Sequence, residues 1–219
     1  MTFITELTKE LAKYDLLTHD FYKAWDKGEL ALETLKIYAR EYYGHVAAFP
    51  RYISAIHSKC DNIEHRQILL GNLIEEEQGE ENHPELWLRF AEGIGCSRKE
   101  CQKTLLVASK ELIDGYFELT NDSYEKGLGS LYAYESQTPE VSKTKIEGLQ
   151  KHYKINDENT LKFFKEHQAW DIEHTKECEF LINALSDKKQ EQVQKGAVSG
   201  AKLLWNFLDS MQEIHRYKN

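Results

Sequence analysis

Apolar residues recur three and four positions apart along almost the whole chain, the spacing of helices that bury one face. Leu35, Tyr38, Tyr42, His45, Phe49, Tyr52 and Ile56 mark a long helix from about Leu32 to Lys59, and Pro50 is expected to bend it because proline cannot donate to the Val46 carbonyl. Before it, two short helical segments between Leu7 and Trp25 meet near Thr18, the expected N-cap of the segment with Phe21, Tyr22 and Trp25; Lys27-Gly28 closes that segment. Asp61 or Asn62 caps a helix with Ile68, Leu69, Leu73 and Ile74 on its apolar side, and it ends in the run Glu75-Glu76-Glu77 before Gly79. His83-Pro84 opens the next, with Leu86, Trp87 and Phe90 inward. A capping box of Ser97 and Glu100 opens a helix expected to reach Leu119. Asn121 or Asp122 opens another to about Lys151, interrupted by Pro139, which strips the helical hydrogen bond from the Glu135 carbonyl. Asn156-Asp157 caps a helix from Glu158 to about Leu185, and a last helix covers roughly Lys188 to His215. Its stripe of Leu203, Leu204, Phe207, Leu208 and Met211 fits either its own core or a partner's.

Composition agrees with that pattern. With three prolines and twelve glycines in 219 residues, and 41% hydrophobic content, the chain reads as one all-α domain spanning residues 1–219. No internal repeat or low-complexity linker divides it. A formal net charge of -9 disfavours nucleic acid and anionic membrane as partners, since both surfaces repel it. The start, MTFITELTKELAKY, lacks the basic and apolar regions of a signal peptide, and no stretch approaches the twenty or so apolar residues of a membrane span. The expectation is a soluble, cytoplasmic protein. Cys60, Cys96, Cys101 and Cys178 have no paired spacing and read as reduced thiols, with Cys96 and Cys101 as potential neighbours.

Candidate chemistry centres on HQAWDIEH. His167, Asp171 and His174 stand at i, i+4 and i+7, so they return to within roughly 40° of one another and share one stripe of one helix. Such triplets also occur on solvated, salt-bridged faces. Glu76 and His83 flank the break in EEEQGEENHPELW, and Glu135 lies among the apolar residues of LYAYESQTPE. A buried glutamate needs compensation, which a cation or a lysine such as Lys143 or Lys145 would supply. Together the six offer three carboxylates and three imidazoles, the inventory of a two-metal site with open positions. Hard oxygen with imidazole suits iron or manganese better than structural zinc.

The strings FYKAWDKGEL, EYYGHVAAFPRYISAIHSKCD, EEEQGEENHPELW and YAYESQTP, with the H-x-x-x-D-x-x-H helix, closely resemble the chlamydial protein associating with death domains and its bacterial relatives. These neighbour the pyrroloquinoline-quinone synthases and the TenA proteins. The resemblance runs from about Thr18 to Leu185. It implies a haem-oxygenase-like bundle of seven or more helices, usually dimeric and without haem. It implies that Glu76, His83, Glu135, His167, Asp171 and His174 bind two metals, Fe/Fe or Fe/Mn, which use dioxygen and an external reductant. It also implies synthesis of para-aminobenzoate for folate, with the tyrosine matching Tyr22 oxidised and excised as the ring and the lysine matching Lys145 supplying the amino group. On residue type alone Tyr22 reads as a core aromatic, and Tyr42, Tyr43 and Tyr134 as packing near the metals. Two rivals stay open: an oxidase of a diffusible small molecule, as in the quinone synthases, and a protein that engages host death domains.

Overall fold

The computed structural model describes residues 2–103 and 106–218. Among them the regular structure is helical throughout: α1 (Phe3–Leu11), α2 (Asp20–Lys27), α3 (Leu32–Ser58), α4 (Ile63–Glu77), α5 (His83–Gly93), α6 (Arg98–Cys101), α7 (Val107–Asp122), α8 (Tyr124–Glu135), α9 (Thr138–Tyr153), α10 (Glu158–Asn183) and α11 (Asp187–Lys218). Two short 3-10 turns, Ala12–Tyr14 and Leu16–Thr18, join α1 to α2.

Side-chain caps set most of the boundaries. Asn62 caps α4 through the His65 amide, Asn82 caps α5 through the Glu85 amide, and Asp157 caps α10 through the Thr160 amide. Two caps differ from the sequence expectation. His19 caps α2, its Nδ1 accepting from the Phe21 amide, while the Thr18 hydroxyl turns back to the Asp15 carbonyl. Ser123 caps α8 in place of Asn121 or Asp122, which complete α7. Lys27 ends α2 as expected, with Gly28 at φ 70 relieving the left-handed turn.

Two expected helices are each divided. The Ser97–Glu100 capping box forms, but its helix α6 ends at Cys101 and a separate α7 begins at Val107. The reason lies in α3: the buried Glu41 carboxylate accepts from the Leu106 amide at 3.0 Å and the Ser109 hydroxyl at 2.9 Å, and so fixes where α7 starts. Pro139 likewise ends one helix and begins another, standing in the first turn of α9 while α8 stops at Glu135. Pro50, by contrast, lies inside the continuous α3.

The core is built around α8, in which ten of twelve residues are buried. Helix α11 approaches it closely because glycines remove the side chains between them: a Cβ on Gly129 would lie 2.1 Å from the Val193 carbonyl oxygen, and one on Gly196 would lie 2.1 Å from that of Lys126. Leu204, Phe207, Leu208 and Met211 of α11 are buried in this same core, so most of the stripe covers its own chain. No helix among the described residues is long and apolar enough to cross a membrane.

Candidate metal centre and tyrosine–lysine pocket

Four helices bring the six expected ligands together. Glu76 lies in the last turn of α4, His83 opens α5, Glu135 closes α8, and His167, Asp171 and His174 form the inward stripe of α10. All six are buried. Two of the carboxylates sit at helix C-termini, where the last carbonyls already concentrate negative charge. Such an arrangement is unfavourable without a cation.

Glu76, His83 and His167 offer donor atoms that all lie within 4.8 Å of one another. His83 Nδ1 is 2.7 Å from Glu76 Oε2, yet it lacks hydrogen-bond geometry to any protein acceptor, so the two atoms meet at a point rather than along a bond. The His167 Nδ1–H donates to the Phe163 carbonyl at 2.9 Å, which leaves Nε2 with its lone pair. The second half of the centre adjoins this one. His174 Nδ1 lies 3.4 Å from Asp171 Oδ1 and 3.9 Å from Glu135 Oε1. Its Nε2–H donates to Glu75 Oε2 at 2.8 Å, so Nδ1 is the nitrogen with a lone pair to offer. Both His174 Nδ1 and Asp171 Oδ2 are buried without a hydrogen-bond partner. These orphaned atoms, and a donor set of imidazole and carboxylate, fit metal ions.

The electrostatics agree. Burial pushes the Glu135 carboxyl up to about 8 and the Asp171 carboxyl up to about 6. Burial would lower His174, but the nearby carboxylates of Asp171, Glu135 and Glu75 prevail and raise it to about 10. His83 is raised in the same way, burial being outweighed by Glu76. The site holds protons where it would accept cations. Among the described residues no lysine pairs with Glu135: Lys143 is on the surface beside Glu140, and Lys145 faces elsewhere. Instead Asn72 Nδ2 donates to Glu135 Oε1 at 2.6 Å and the Cys178 thiol to Oε2 at 3.1 Å.

Tyr22 and Lys145 meet in a separate pocket. Tyr22 comes from α2 and Lys145 from α9, and α2 is tied to α9 by the Trp25 indole N–H, which donates to the Lys145 carbonyl at 3.4 Å. The Tyr22 and Tyr38 hydroxyls are 2.9 Å apart, and Lys145 Nζ donates to the Tyr38 hydroxyl at 2.8 Å. Nζ stands 4.9 Å from the centre of the Tyr22 ring, with Tyr38, Phe164, Trp25, Tyr42 and Trp87 completing an aromatic cage out to 6.0 Å. Burial in this cage lowers the amine to about 7 and raises the Tyr22 phenol above its ordinary value. Contacting rings join this cluster to the candidate centre: Tyr38 stacks on Tyr42 at 5.5 Å, Tyr42 meets Trp87 at 5.2 Å, Trp87 meets Phe163 at 4.8 Å, and Phe163 meets His167 at 4.1 Å. Tyr134 packs against Phe49 and His45 and lies close enough to Asp171 and Glu76 to feel their charge, while the half-buried Tyr43 sits beside Cys101 and Glu85, apart from the centre. Cys96 and Cys101 are neighbours as expected, their sulfurs 3.6 Å apart as free thiols.

Sequence reasoning missed Asn72, Glu75, Tyr38 and Cys178 as parts of these sites. Tyr38 and Cys178 were visible only as an apolar-stripe aromatic and an isolated thiol, and Asn72 carried one weak signal, an amide four residues before Glu76 on the same helix face.

An all-helical bundle with a buried imidazole–carboxylate centre is the fold and site of an oxidoreductase in the haem-oxygenase-like superfamily, and the chain belongs to the family of iron-containing redox enzymes, whose sequence model matches residues 36–205. Within that superfamily it is similar to the chlamydial protein and its relatives. It is 39% identical over 215 residues to the 4-aminobenzoate synthase of Chlamydia muridarum, covering 97% of this chain and 91% of that one. It is 36% identical to the 4-aminobenzoate synthase of Nitrosomonas europaea, covering 97% and 92% of the two chains. The crystal structure of a TenA homolog from Pseudomonas syringae shares the fold, with a TM-score of 0.83 at 16% identity over 97% of this chain and 93% of that one.

Proposed function

We propose that the chain is a 4-aminobenzoate synthase that takes the aromatic ring from its own Tyr22 and the amino group from Lys145, with two cations, Fe/Fe or Fe/Mn, held by the six donors. Near full-length similarity to two synthases of that name supports the product. When bound, such a pair supplies reduction of dioxygen at the expense of an external reductant, and with it the oxidising power that a phenol ring requires.

One observation carries the reading: the Lys145 amine lies 4.9 Å over the Tyr22 ring and is linked to its hydroxyl through Tyr38. Oxidation of a buried phenol needs somewhere for its proton to go. When the amine is free its lone pair can accept from the Tyr38 hydroxyl, the reverse of the bond the charged amine donates, so Tyr22 hands its proton to Tyr38 as the Tyr38 proton passes to Lys145. Because burial lowers Lys145 to about 7, a large share is free amine at neutral pH, able to accept that proton or to offer its nitrogen lone pair. The aromatic cage keeps water from the oxidised ring.

Producing the protein with isotope-labelled tyrosine and lysine, then weighing the released aromatic by mass spectrometry, tests this directly. The expected product carries both labels, accumulates in proportion to chain rather than catalytically, and is lost in Tyr22→Phe while the metal content stays unchanged. Unlabelled product, or continued turnover in Tyr22→Phe, would instead favour an oxidase of a diffusible small molecule.

A further inference from the structure

The two halves of the centre are not held in the same way. In the Glu76–His83–His167 half the donor atoms already converge within 4.8 Å, and Glu76 and His83 meet directly at 2.7 Å. In the Glu135–Asp171–His174 half the imidazole sits between its two carboxylates at 3.4 and 3.9 Å, and the far carboxylate, Glu135, is fixed from outside the set. Both of its oxygens are taken: Oε1 by the Asn72 amide at 2.6 Å, Oε2 by the Cys178 thiol at 3.1 Å.

The placement of those donors follows from the helices that carry the ligands. Asn72 lies four residues before Glu76 on α4, and Cys178 four residues after His174 on α10, so each continues the inward stripe of a ligand helix by one turn. Both are buried, and Glu135 arrives between them at the C-terminal end of α8. Their chemistry suits the task. An amide and a thiol are neutral donors, so they fix a carboxylate without cancelling the charge that attracts a cation; a lysine or arginine in either place would compete with it. Each carboxylate oxygen has two lone pairs, so an oxygen that accepts one hydrogen bond keeps a lone pair for a metal.

We infer that Asn72 and Cys178 are positioning residues for Glu135, which make the Glu135–Asp171–His174 half competent to bind its cation while leaving the Glu76–His83–His167 half unaffected. This inference rests on the metal reading above. A partner that orients a ligand in this way is typically worth about 10–100-fold in metal affinity. Truncating either residue therefore weakens one ion selectively. General damage to the bundle would weaken both.

Titrating the metal-free full-length chain anaerobically with Mn(II), followed by calorimetry and by the electron paramagnetic resonance of the bound ion, separates the two events. The wild-type chain is expected to bind two ions. Asn72→Ala and Cys178→Ala should each keep one ion at wild-type affinity and weaken the other about 10–100-fold. Cys178→Ser restores a donor and should restore the second ion. Two ions at wild-type affinity in both alanine variants, or parallel weakening of both ions, would overturn the inference while leaving the metal reading intact. A wild-type chain that bound no Mn(II) would remove the metal reading itself.

Discussion

Lys145 is buried among six aromatic rings, and among the described residues its amine meets the neutral Tyr38 hydroxyl and no carboxylate, so its charged form is disfavoured by loss of hydration that nothing there repays. Its amine is lowered from 10.5 to about 7 on folding. Between those two values the unfolded chain binds the proton and the folded chain does not, so this residue's penalty is full below about pH 7 and disappears as pH rises toward 10.5. Lys145→Met is therefore expected to be more stable than wild type at neutral pH by a few kcal/mol, with the difference shrinking in denaturant melts at progressively alkaline pH. A gap that does not change with pH would show that the amine is not desolvated. At this scale the sequence was legible only in part. The α10 triplet could be read from helical spacing, since all three side chains share one element. Tyr22 and Lys145 were reached through family resemblance alone, because their meeting joins α2 to α9 across 120 residues of chain, at the Trp25 bond. The hydrogen bond from Asn72 to Glu135 spans 63 residues, and the place of Asn72 one turn before Glu76 does not name its partner.

Among the helices, periodicity located every long segment, and most errors came where a side chain from elsewhere decided a boundary. Glu41 starting α7 is one such case; the Pro139 interruption, by contrast, is local and lies where it was expected, with the proline in the first turn of α9. The close approach of α8 and α11 was equally hidden, since glycines at 129, 196 and 200 look like helix-weakening residues until the partner helix is seen. That contact makes opposite predictions for one substitution in two places. Gly129→Ala sets a methyl 2.1 Å from the Val193 carbonyl oxygen and should cost at least roughly 1–3 kcal/mol in a denaturant titration. Gly71→Ala, on the exposed side of α4 with nothing within 4 Å of the new methyl, should gain roughly 0.5–1 kcal/mol. Equal effects would mean that α8 and α11 do not pack as described.

For the molecule as a whole, the proposed centre would couple cation binding to folding. Four helices converge on it, and an ion bound only by the folded chain stabilises all of them together, by about 2.7 kcal/mol at a free concentration one hundred times its dissociation constant. In the metal-free chain burial holds protons on Glu135 up to about pH 8 and on Asp171 up to about pH 6, and a cation must displace them. Stabilisation by Mn(II), read as the rise in melting temperature, should therefore be large near about pH 8 and small near about pH 5, where proton competition is strongest. No pH dependence would place the ion on other groups. The most direct measurement of the central claim is anomalous diffraction at the iron and manganese edges from crystals of the purified chain. Two peaks inside the bundle are expected, one against Glu76, His83 and His167 and the other against Glu135, Asp171 and His174. Absence of any peak there, or ions held by different side chains, would contradict it.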